Sequence, residues 1–85
     1  MYRILTKSLR RTKGQDRNYK VTEKLHEYGY AKSIEQFEDL GKSLWALLTK
    51  NYWKVKMTWK ENSVSFIYTD DGITWHKWIF VLTNM

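Results

Sequence analysis

The two histidines of this 85-residue chain, His26 and His76, are the side chains best suited to acid and base chemistry near neutral pH. With Lys56 and Arg10 to stabilise a phosphorane, they would supply the groups that metal-independent cleavage of RNA requires. However, no spacing in the sequence forces these four residues together, and a histidine in an apolar strand is more often a packed, neutral side chain. We therefore predict that the protein is not an enzyme.

Other reactive groups are sparse. The chain has no cysteine, which excludes disulfides and thiolate metal sites. Asp70 and Asp71 precede a glycine, where turn chemistry explains them better than a hard cation, which needs more oxygen ligands. No phosphate-binding loop, dinucleotide fingerprint, nucleophile elbow or zinc-protease motif is present. The sequence predicts no metal site and no cofactor.

Basic residues concentrate in the N-terminal part of the chain. The formal net charge is +6, and residues 1–20 carry all of this excess, with Asp16 as their only acid. Such a segment binds phosphate, an acidic protein surface or an anionic lipid, or simply keeps a small protein in solution. The first candidate binding set is this basic N-terminal region: Arg3, Lys7, Arg10, Arg11, Lys13, Arg17 and Lys20.

The elements that position these groups are clearest in the last third of the chain. Residues 52–60 and 63–69 alternate apolar and polar side chains with a period of two, which is typical of half-buried strands. The two residues between these runs predict a tight hairpin. Its register places Trp59 opposite Val64 and brings three apolar pairs of these strands, together with Trp53, onto one face.

A third strand is predicted after residues 70–72, where a three-residue loop with a glycine of positive φ closes a second hairpin. This loop places Tyr68 opposite Thr74 and sends Lys77 to the face that already carries the lysines of the first strand. Residues 78–82 are apolar on both faces, which is typical of a central strand.

A helix is predicted from the capping-box spacing of Ser33 and Gln36. Acidic residues lie in the first turns of the predicted helix and Lys50 lies in its last turn, an arrangement that the helix dipole stabilises. Asn51 is suited to a C-terminal cap in the left-handed conformation. The apolar stripe has steps of three and four residues and consists of Ile34, Phe37, Leu40, Gly41, Leu44, Leu47 and Leu48. We expect this stripe to pack on the aromatic face of the three-stranded sheet.

The first 32 residues predict a hairpin. Residues 2–4 and 18–22 have the composition of strands, and residues 12–17 form a polar loop between them. A short helix that begins at Thr22 fits the same sequence and stays open as an alternative. Residues 28–30, Tyr-Gly-Tyr, are interpreted as the turn into the main helix.

The predicted fold is α+β: an N-terminal β-hairpin, one amphipathic helix and a three-stranded antiparallel meander (ββαβββ), with the helix packed on one face of the sheet. The length predicts a single domain over 1–85, divided into a basic hairpin region at 1–32, the helix at 33–51 and the β-meander at 52–85. No apolar run reaches the roughly 18 residues of a membrane span, and the first residues lack the apolar core of a secretory signal. We therefore expect a soluble cytoplasmic protein that has no membrane partner.

One face of the predicted meander combines aromatic and basic side chains. This lysine and aromatic sheet face is the second candidate binding set: Tyr52, Lys54, Lys56, Lys60, Trp75 and Lys77, with Ile67 and Ile79 between them. Aromatic rings flanked by lysines stack on unpaired bases while the ammonium groups meet phosphates, and the same composition suits a protein interface. In the alternative interpretation the N-terminal hairpin covers this face, and the lysines deter strand pairing at its edge.

Residues 53–57 form a basic strand, and residues 66–71 form a strand that ends in an acidic turn. Together they resemble a segment of the small ribosome-dependent RNase toxins of toxin–antitoxin modules, which implies RNA cleavage. The chain lacks the paired N-terminal helices and the arginine-rich catalytic strand of that family, since no arginine follows Arg17. No catalytic residue is therefore transferred from it.

The sequence thus favours binding over catalysis. We expect a small non-enzymatic protein of a phage or mobile element that binds and inhibits a host protein or nucleoprotein, for example an anti-CRISPR-like inhibitor of a defence nuclease. The expected partner presents an acidic surface. Direct binding of RNA or single-stranded DNA is the alternative, and a small RNase toxin is the minor alternative.

Overall fold

The computed structural model describes residues 1–11 and 25–84 and the backbone of Thr12. Its elements are β1 (Tyr2–Thr12), β2 (His26–Ala31), α1 (Ile34–Asn51), β3 (Lys54–Lys60), β4 (Ser63–Thr69) and β5 (Thr74–Asn84). The fold is α+β, and the elements follow the predicted order of two strands, one helix and three strands. No helix in this part of the chain is long and apolar enough to cross a lipid bilayer.

All five strands belong to one antiparallel sheet, in the order β2-β1-β5-β4-β3. The first strand pairs with the last over its whole length, from Tyr2 opposite Asn84 to Thr12 opposite Thr74. The hairpin therefore extends the sheet of the meander, so the prediction of a three-stranded sheet is incomplete. Strand β5 has a neighbour on each side, and residues 78–82 are apolar on both faces because they lie in this central strand.

The predicted register of the β3–β4 hairpin is confirmed, with Lys60 opposite Ser63 and Trp59 opposite Val64. The predicted register of β4 against β5 is wrong by two residues, because Tyr68 lies opposite His76 instead of Thr74. The last pair of these strands is Thr69 with Trp75, so residues 70–74 connect them, two residues more than the predicted three-residue loop. Because the shift in pairing is an even number, every side chain of β5 stays on the predicted face.

Side-chain hydrogen bonds hold the β4–β5 loop. The Thr69 side chain is fully buried, and its hydroxyl donates to the Thr74 carbonyl at 2.7 Å and accepts the N–H of Gly72 at 2.9 Å. Asp71 Oδ1 accepts the N–H groups of Ile73 and Thr74, both at 2.8 Å. Gly72 has a φ of 76°, so the predicted positive φ at this glycine is confirmed.

Both ends of α1 are closed by side chains. The Ser33 hydroxyl accepts the N–H of Gln36 at 3.2 Å, which confirms the predicted cap. The Gln36 side chain reaches back to the N–H of Lys32, one residue earlier than a capping box predicts. Asn51 does not adopt the predicted left-handed conformation; it is the last helical residue, and its amide group donates to a helix carbonyl at 2.8 Å. The chain then leaves the helix in an extended conformation at Tyr52.

The helix packs on one side of the sheet, which we call the helix side. The buried residues of α1 are Phe37, Gly41, Leu44 and Leu48, all of which belong to the predicted stripe, whereas Ile34 and Leu47 are exposed. From the sheet, the core takes Ile4, Ala31, Val64, Phe66, Phe80 and Leu82. Phe66 and Phe80 are fully buried and meet edge to face with ring centroids 6.2 Å apart. Burial of such a side chain contributes about 1.5–3 kcal/mol, so the aromatic pair accounts for much of the stability of the core.

Two predictions for the N-terminal part are wrong. Residues 28–30 lie in β2 and not in a turn, and β2 also replaces the alternative short helix over its six residues. The pairing of β1 with β2 shifts by one residue where Tyr28 is inserted as a bulge. Its ring reaches the helix side, 4.9 Å from the Phe80 ring. The predicted strand at 18–22 lies outside the described residues, and the predicted loop at 12–17 begins in β1 and otherwise lies outside them as well.

Candidate functional site: a basic open sheet face

The side of the sheet that faces away from α1 is covered by none of the described elements, and we call it the open face. Residues that pair across antiparallel strands project to the same side, so the strand pairings define rows across this face. The rows are Leu5-Val81-Ser63-Lys60, Lys7-Ile79-Ser65-Thr58, Leu9-Lys77-Ile67-Lys56 and Arg11-Trp75-Thr69-Lys54. These residues come from four strands and form one continuous surface.

The open face is strongly basic. Its cationic side chains are Arg3, Lys7, Arg11, Lys54, Lys56, Lys60 and Lys77. Among the described strand residues, the one acid on this face is Glu27 of β2, whose Oε1 lies 3.5 Å from Nε of Arg3. Both partners are exposed to solvent, so the ion pair is screened and contributes little to stability. Most of the positive charge on the open face is therefore available to attract an anionic partner.

The two candidate binding sets of the sequence meet on the open face. Arg3, Lys7 and Arg11 of the basic N-terminal region join the lysine and aromatic set because β1 pairs with β5. The predicted common face of Lys54, Lys56, Lys60, Trp75 and Lys77 is confirmed. The pairing of β1 with β5 rules out the alternative that the described hairpin strands lie across this face.

Two predicted site residues lie on the helix side instead. Arg10 pairs with His76, whose ring stacks on Tyr68 on the helix side. Tyr52 was placed on the lysine face by extending the alternation of β3 backwards, and this placement is wrong. The strand begins only at Lys54, and the Tyr52 ring packs 4.6 Å from the Tyr68 ring. Three further predicted residues lie outside the described part of the chain: Lys13, Arg17 and Lys20.

Aliphatic side chains lie between the cations. The half-buried aliphatic residues of the open face are Leu5, Leu9, Ile67, Ile79 and Val81. Leu5 and Leu9 were not singled out from the sequence, because Lys7 stands between them on the same face and interrupts the apolar pattern. Thr6 and Ser8 on the other face are polar as well, so no period of two indicated a longer first strand. An apolar centre surrounded by charged groups is the usual composition of a protein interface.

An aromatic cleft lies beside the first residues of β3, where the open face meets the edge of the sheet. It has a volume of about 560 Å³, and its main walls are Trp45, Tyr52, Trp53, Trp75 and the stems of Lys54 and Lys56. The cleft therefore combines four large aromatic side chains with two ammonium groups.

Trp53 forms the outer wall of the aromatic cleft. It was predicted on the buried face of the strand, which is wrong, because it precedes β3 and is 64% exposed. The backbone N–H of Trp53 donates to the Thr69 carbonyl at 3.0 Å. The indole ring rests on Gly72, where an added Cβ would lie 2.9 Å from Cζ3 of Trp53. Nζ of Lys54 lies 4.7 Å from the Trp53 ring centroid, a cation–π contact. These contacts fix the indole at the mouth of the cleft.

A second cleft, of about 470 Å³, lies on the opposite end of the sheet between the start of α1 and the β3–β4 turn. Tyr2, Ile34 and Trp59 supply its apolar walls, and Glu38 and Glu61 supply carboxylates. Lys60 of the open face also lines this cleft, but the two carboxylates outnumber it, so the cleft has no concentration of positive charge.

Of the four residues considered for acid and base catalysis, Arg10 and His76 lie opposite each other, but the two histidines are not brought together. His26 and His76 lie on β2 and β5, with β1 between them, and they pair with Thr6 and Arg10. At the usual strand spacing and rise, their Cα atoms are roughly 16 Å apart. Lys56 projects from the open face, on the other side of the sheet. Within the described residues no three side chains are grouped as a metal site would require.

Within residues 1–11 and 25–84, two ionisable groups have shifted pKa values, and neither is a cation of the open face. Burial raises the pKa of Tyr68, and the neighbouring Tyr52 raises it further. Hydrogen bonds from the N–H groups of Thr74 and Ile73 lower the pKa of Asp71. Both shifts follow from packing and loop closure, so they do not indicate a catalytic group.

The comparisons with known proteins leave the site to be interpreted from its own geometry. No family model, curated protein or solved structure matches the chain. The resemblance to ribosome-dependent RNase toxins is not supported by the fold, since the described N-terminal residues form β1 and β2 instead of paired helices.

Proposed function

We propose that the protein is a non-enzymatic binding protein that docks its open face on an acidic surface of another protein or nucleoprotein and inhibits that partner by covering it. The observation that supports this proposal is the combination of cations and half-buried aliphatic side chains on one sheet face that no described element covers. The cations steer an acidic partner to the face, and the aliphatic side chains lose water contact when it docks. In the form we expect, the protein belongs to a phage or mobile element and the partner is a host enzyme such as a defence nuclease.

The size of the open face suits a protein interface. The five strands have 6 to 11 residues and average about eight, which gives a face of roughly 24 Å by 27 Å, or on the order of 650 Å². A standard interface buries about 800 Å² on each partner. The open face alone therefore accounts for most of such an interface.

The side-chain types favour a protein over a nucleic acid. Trp75 is the one aromatic side chain in the four rows of the open face, whereas aliphatic side chains occur in three of those rows. Unpaired bases bind by stacking on aromatic rings, and aliphatic side chains instead pack against apolar groups of a protein. Cations with aliphatic neighbours are thus better matched to an acidic protein surface.

A capture experiment tests the proposed function. The full chain is immobilised beside the double variant Lys7→Glu/Lys77→Glu and the matched control Lys42→Glu/Lys50→Glu, which changes the charge equally on exposed helix positions. We expect one protein from the source cell to bind the wild type and the control in a fixed ratio and to be lost from the open-face variant. Equal retention by all three proteins would overturn the proposal.

Direct binding of single-stranded nucleic acid is the second candidate, and one observation favours it. Trp75 lies in the same row as Arg11 and Lys54, so a base stacked on the indole would have two cations within reach of its phosphates. Binding of labelled single-stranded RNA, single-stranded DNA and duplex is measured at two salt concentrations. A steep loss of affinity with salt, reduced in a Lys54→Ala/Lys56→Ala/Lys60→Ala variant, would support this candidate, and no binding at low salt would exclude it.

A further inference from the structure

Resting on the proposed function, we propose that β3 accepts an extended acidic segment of the partner protein as an additional strand, with one large apolar side chain of that segment in the aromatic cleft. The occupant is thus a peptide strand with carboxylates at alternate positions. It adds a main-chain contact to the docking of the open face.

The edge of the sheet supplies the main-chain part of this site. Among the strands that the structure describes, β3 is the last in the order and pairs with β4 on one side only. At an edge, alternate residues direct their N–H and C=O groups away from the sheet, where another strand can pair with them. The seven residues of β3 span about 23 Å, enough for an added strand of similar length.

The charges along β3 select the occupant. Lys54, Lys56 and Lys60 are exposed and project to the same side of this edge, and β3 has no acidic residue. A second copy of β3 would place lysines near lysines, so these charges oppose self-pairing. A strand with carboxylates at alternate positions instead faces each lysine with an opposite charge. The same lysines that prevent edge-to-edge aggregation therefore favour an acidic strand.

The aromatic cleft supplies an anchor next to the first half of β3. Trp45 and Tyr52 are half-buried in its wall, and Trp53 stands exposed at its mouth. Its volume of about 560 Å³ lies within the range of about 300–1,000 Å³ typical of ligand pockets. A strand on β3 passes this cleft, so a Phe or Trp side chain of that strand enters it and contacts several rings. Main-chain pairing with one side-chain pocket is a common mode of peptide recognition.

Synthetic peptides test this proposal with the full chain. The probe is the acidic peptide Glu-Val-Glu-Phe-Glu-Val-Glu, compared with the same peptide methylated at alternate backbone nitrogens and with a version in which Lys replaces Glu. Calorimetry gives the affinities, and amide hydrogen exchange by NMR locates the bound peptide. We expect the unmodified acidic peptide to bind about tenfold or more tightly than the other two and to slow exchange at alternate amides of β3.

Variants separate the edge from the rest of the open face. Lys54→Glu/Lys56→Glu is expected to weaken peptide binding about tenfold or more, while the control Lys42→Glu/Lys50→Glu leaves it unchanged. Equal binding of the methylated peptide, unchanged exchange at β3, or no binding at all would overturn strand addition. Such a result, with capture of a partner still dependent on Lys7 and Lys77, would leave the proposed function standing. Conversely, the peptide could pair with β3 while the Lys7→Glu/Lys77→Glu variant captures the partner as well as the wild type does. That pair of results would overturn the proposed function but not strand addition.

Discussion

The indole of Trp59 lies directly over Gly41, so closely that a Cβ built on this glycine would be 2.5 Å from Cη2 of the indole. Trp59 is also held by Phe37, whose ring it meets edge to face at 6.2 Å. A glycine in the middle of α1 is therefore the contact point that lets the helix approach the edge of the sheet. The contact joins the helix to β3, the strand that borders the aromatic cleft.

Gly41→Ala is expected to destabilise the protein. The added methyl group displaces the Trp59 indole, and such overpacking costs about 1–3 kcal/mol, more than the roughly 1 kcal/mol that alanine gains in a helix. Urea unfolding measures the change. Gly29→Ala is the matched control, because nothing lies within 4 Å of a Cβ at that position. A Gly41→Ala protein as stable as wild type would contradict the close contact.

Ser33→Ala is expected to lower the free energy of unfolding by about 0.5–2 kcal/mol. The substitution removes the hydroxyl that accepts the N–H of Gln36 and leaves that donor of the first helical turn without its partner. Ser43→Ala, at an exposed position within α1, is the control and should be neutral or slightly stabilising because alanine is the better helix former. Thermal unfolding followed by circular dichroism compares the two variants.

Thr69→Val is expected to cost about 1–3 kcal/mol although the two side chains have nearly the same shape. Without the hydroxyl, the Gly72 N–H and the Thr74 carbonyl lose their partner in a buried part of the loop. Thr58→Val provides the control, since Thr58 is exposed in the neighbouring strand β3. Denaturant unfolding of both variants measures the difference, and equal midpoints would show that the loop does not depend on this hydroxyl.

Asp71 is expected to make stability depend on pH in the acidic range. Its pKa is lowered in the folded protein because the carboxylate accepts the N–H groups of Thr74 and Ile73. A carboxyl with a lower pKa when folded stabilises the protein above its unfolded pKa of about 3.9, and this contribution disappears as the pH falls through the folded pKa. Asp71→Asn should therefore be less stable than wild type near neutral pH, with a difference that shrinks below about pH 4. Unfolding midpoints from pH 2 to pH 7 give this comparison.

The structure shows which features of the fold could be predicted from local sequence. The β3–β4 register was predictable because a two-residue turn and a period of two agree with each other. The start of α1 was predictable because Ser33 and Gln36 bond locally. The β4–β5 register was missed because hydrogen bonds from backbone N–H groups to the side chains of Thr69 and Asp71 stabilise a longer loop than the glycine alone indicates.

The pairing of β1 with β5 had no comparable local signal. The residue pattern of a strand shows which of its side chains share a face, but it does not show which other strand pairs with that strand. For this reason the basic N-terminal region and the lysine face were predicted as two separate candidate sites, and only the sheet order joins them. Tyr52 and Trp53 were misplaced because a strand pattern does not mark the residue at which pairing begins.

The pairing of the first strand with the last also affects how the chain folds. The hydroxyl of Thr6 bonds the carbonyl of Ile79 at 3.1 Å across 73 residues of sequence, whereas the β3–β4 hairpin closes through two residues. Hairpins of that kind form in about 1–10 μs, while sheets dominated by distant pairs take milliseconds to seconds. During synthesis β1 can pair with β2 first, but its pairing with β5 must wait until β5 has left the ribosome. Until then Arg3, Lys7 and Arg11 are separated from the lysines of β3 and β5. Assembly of the basic surface is consequently a late step in the life of each new molecule.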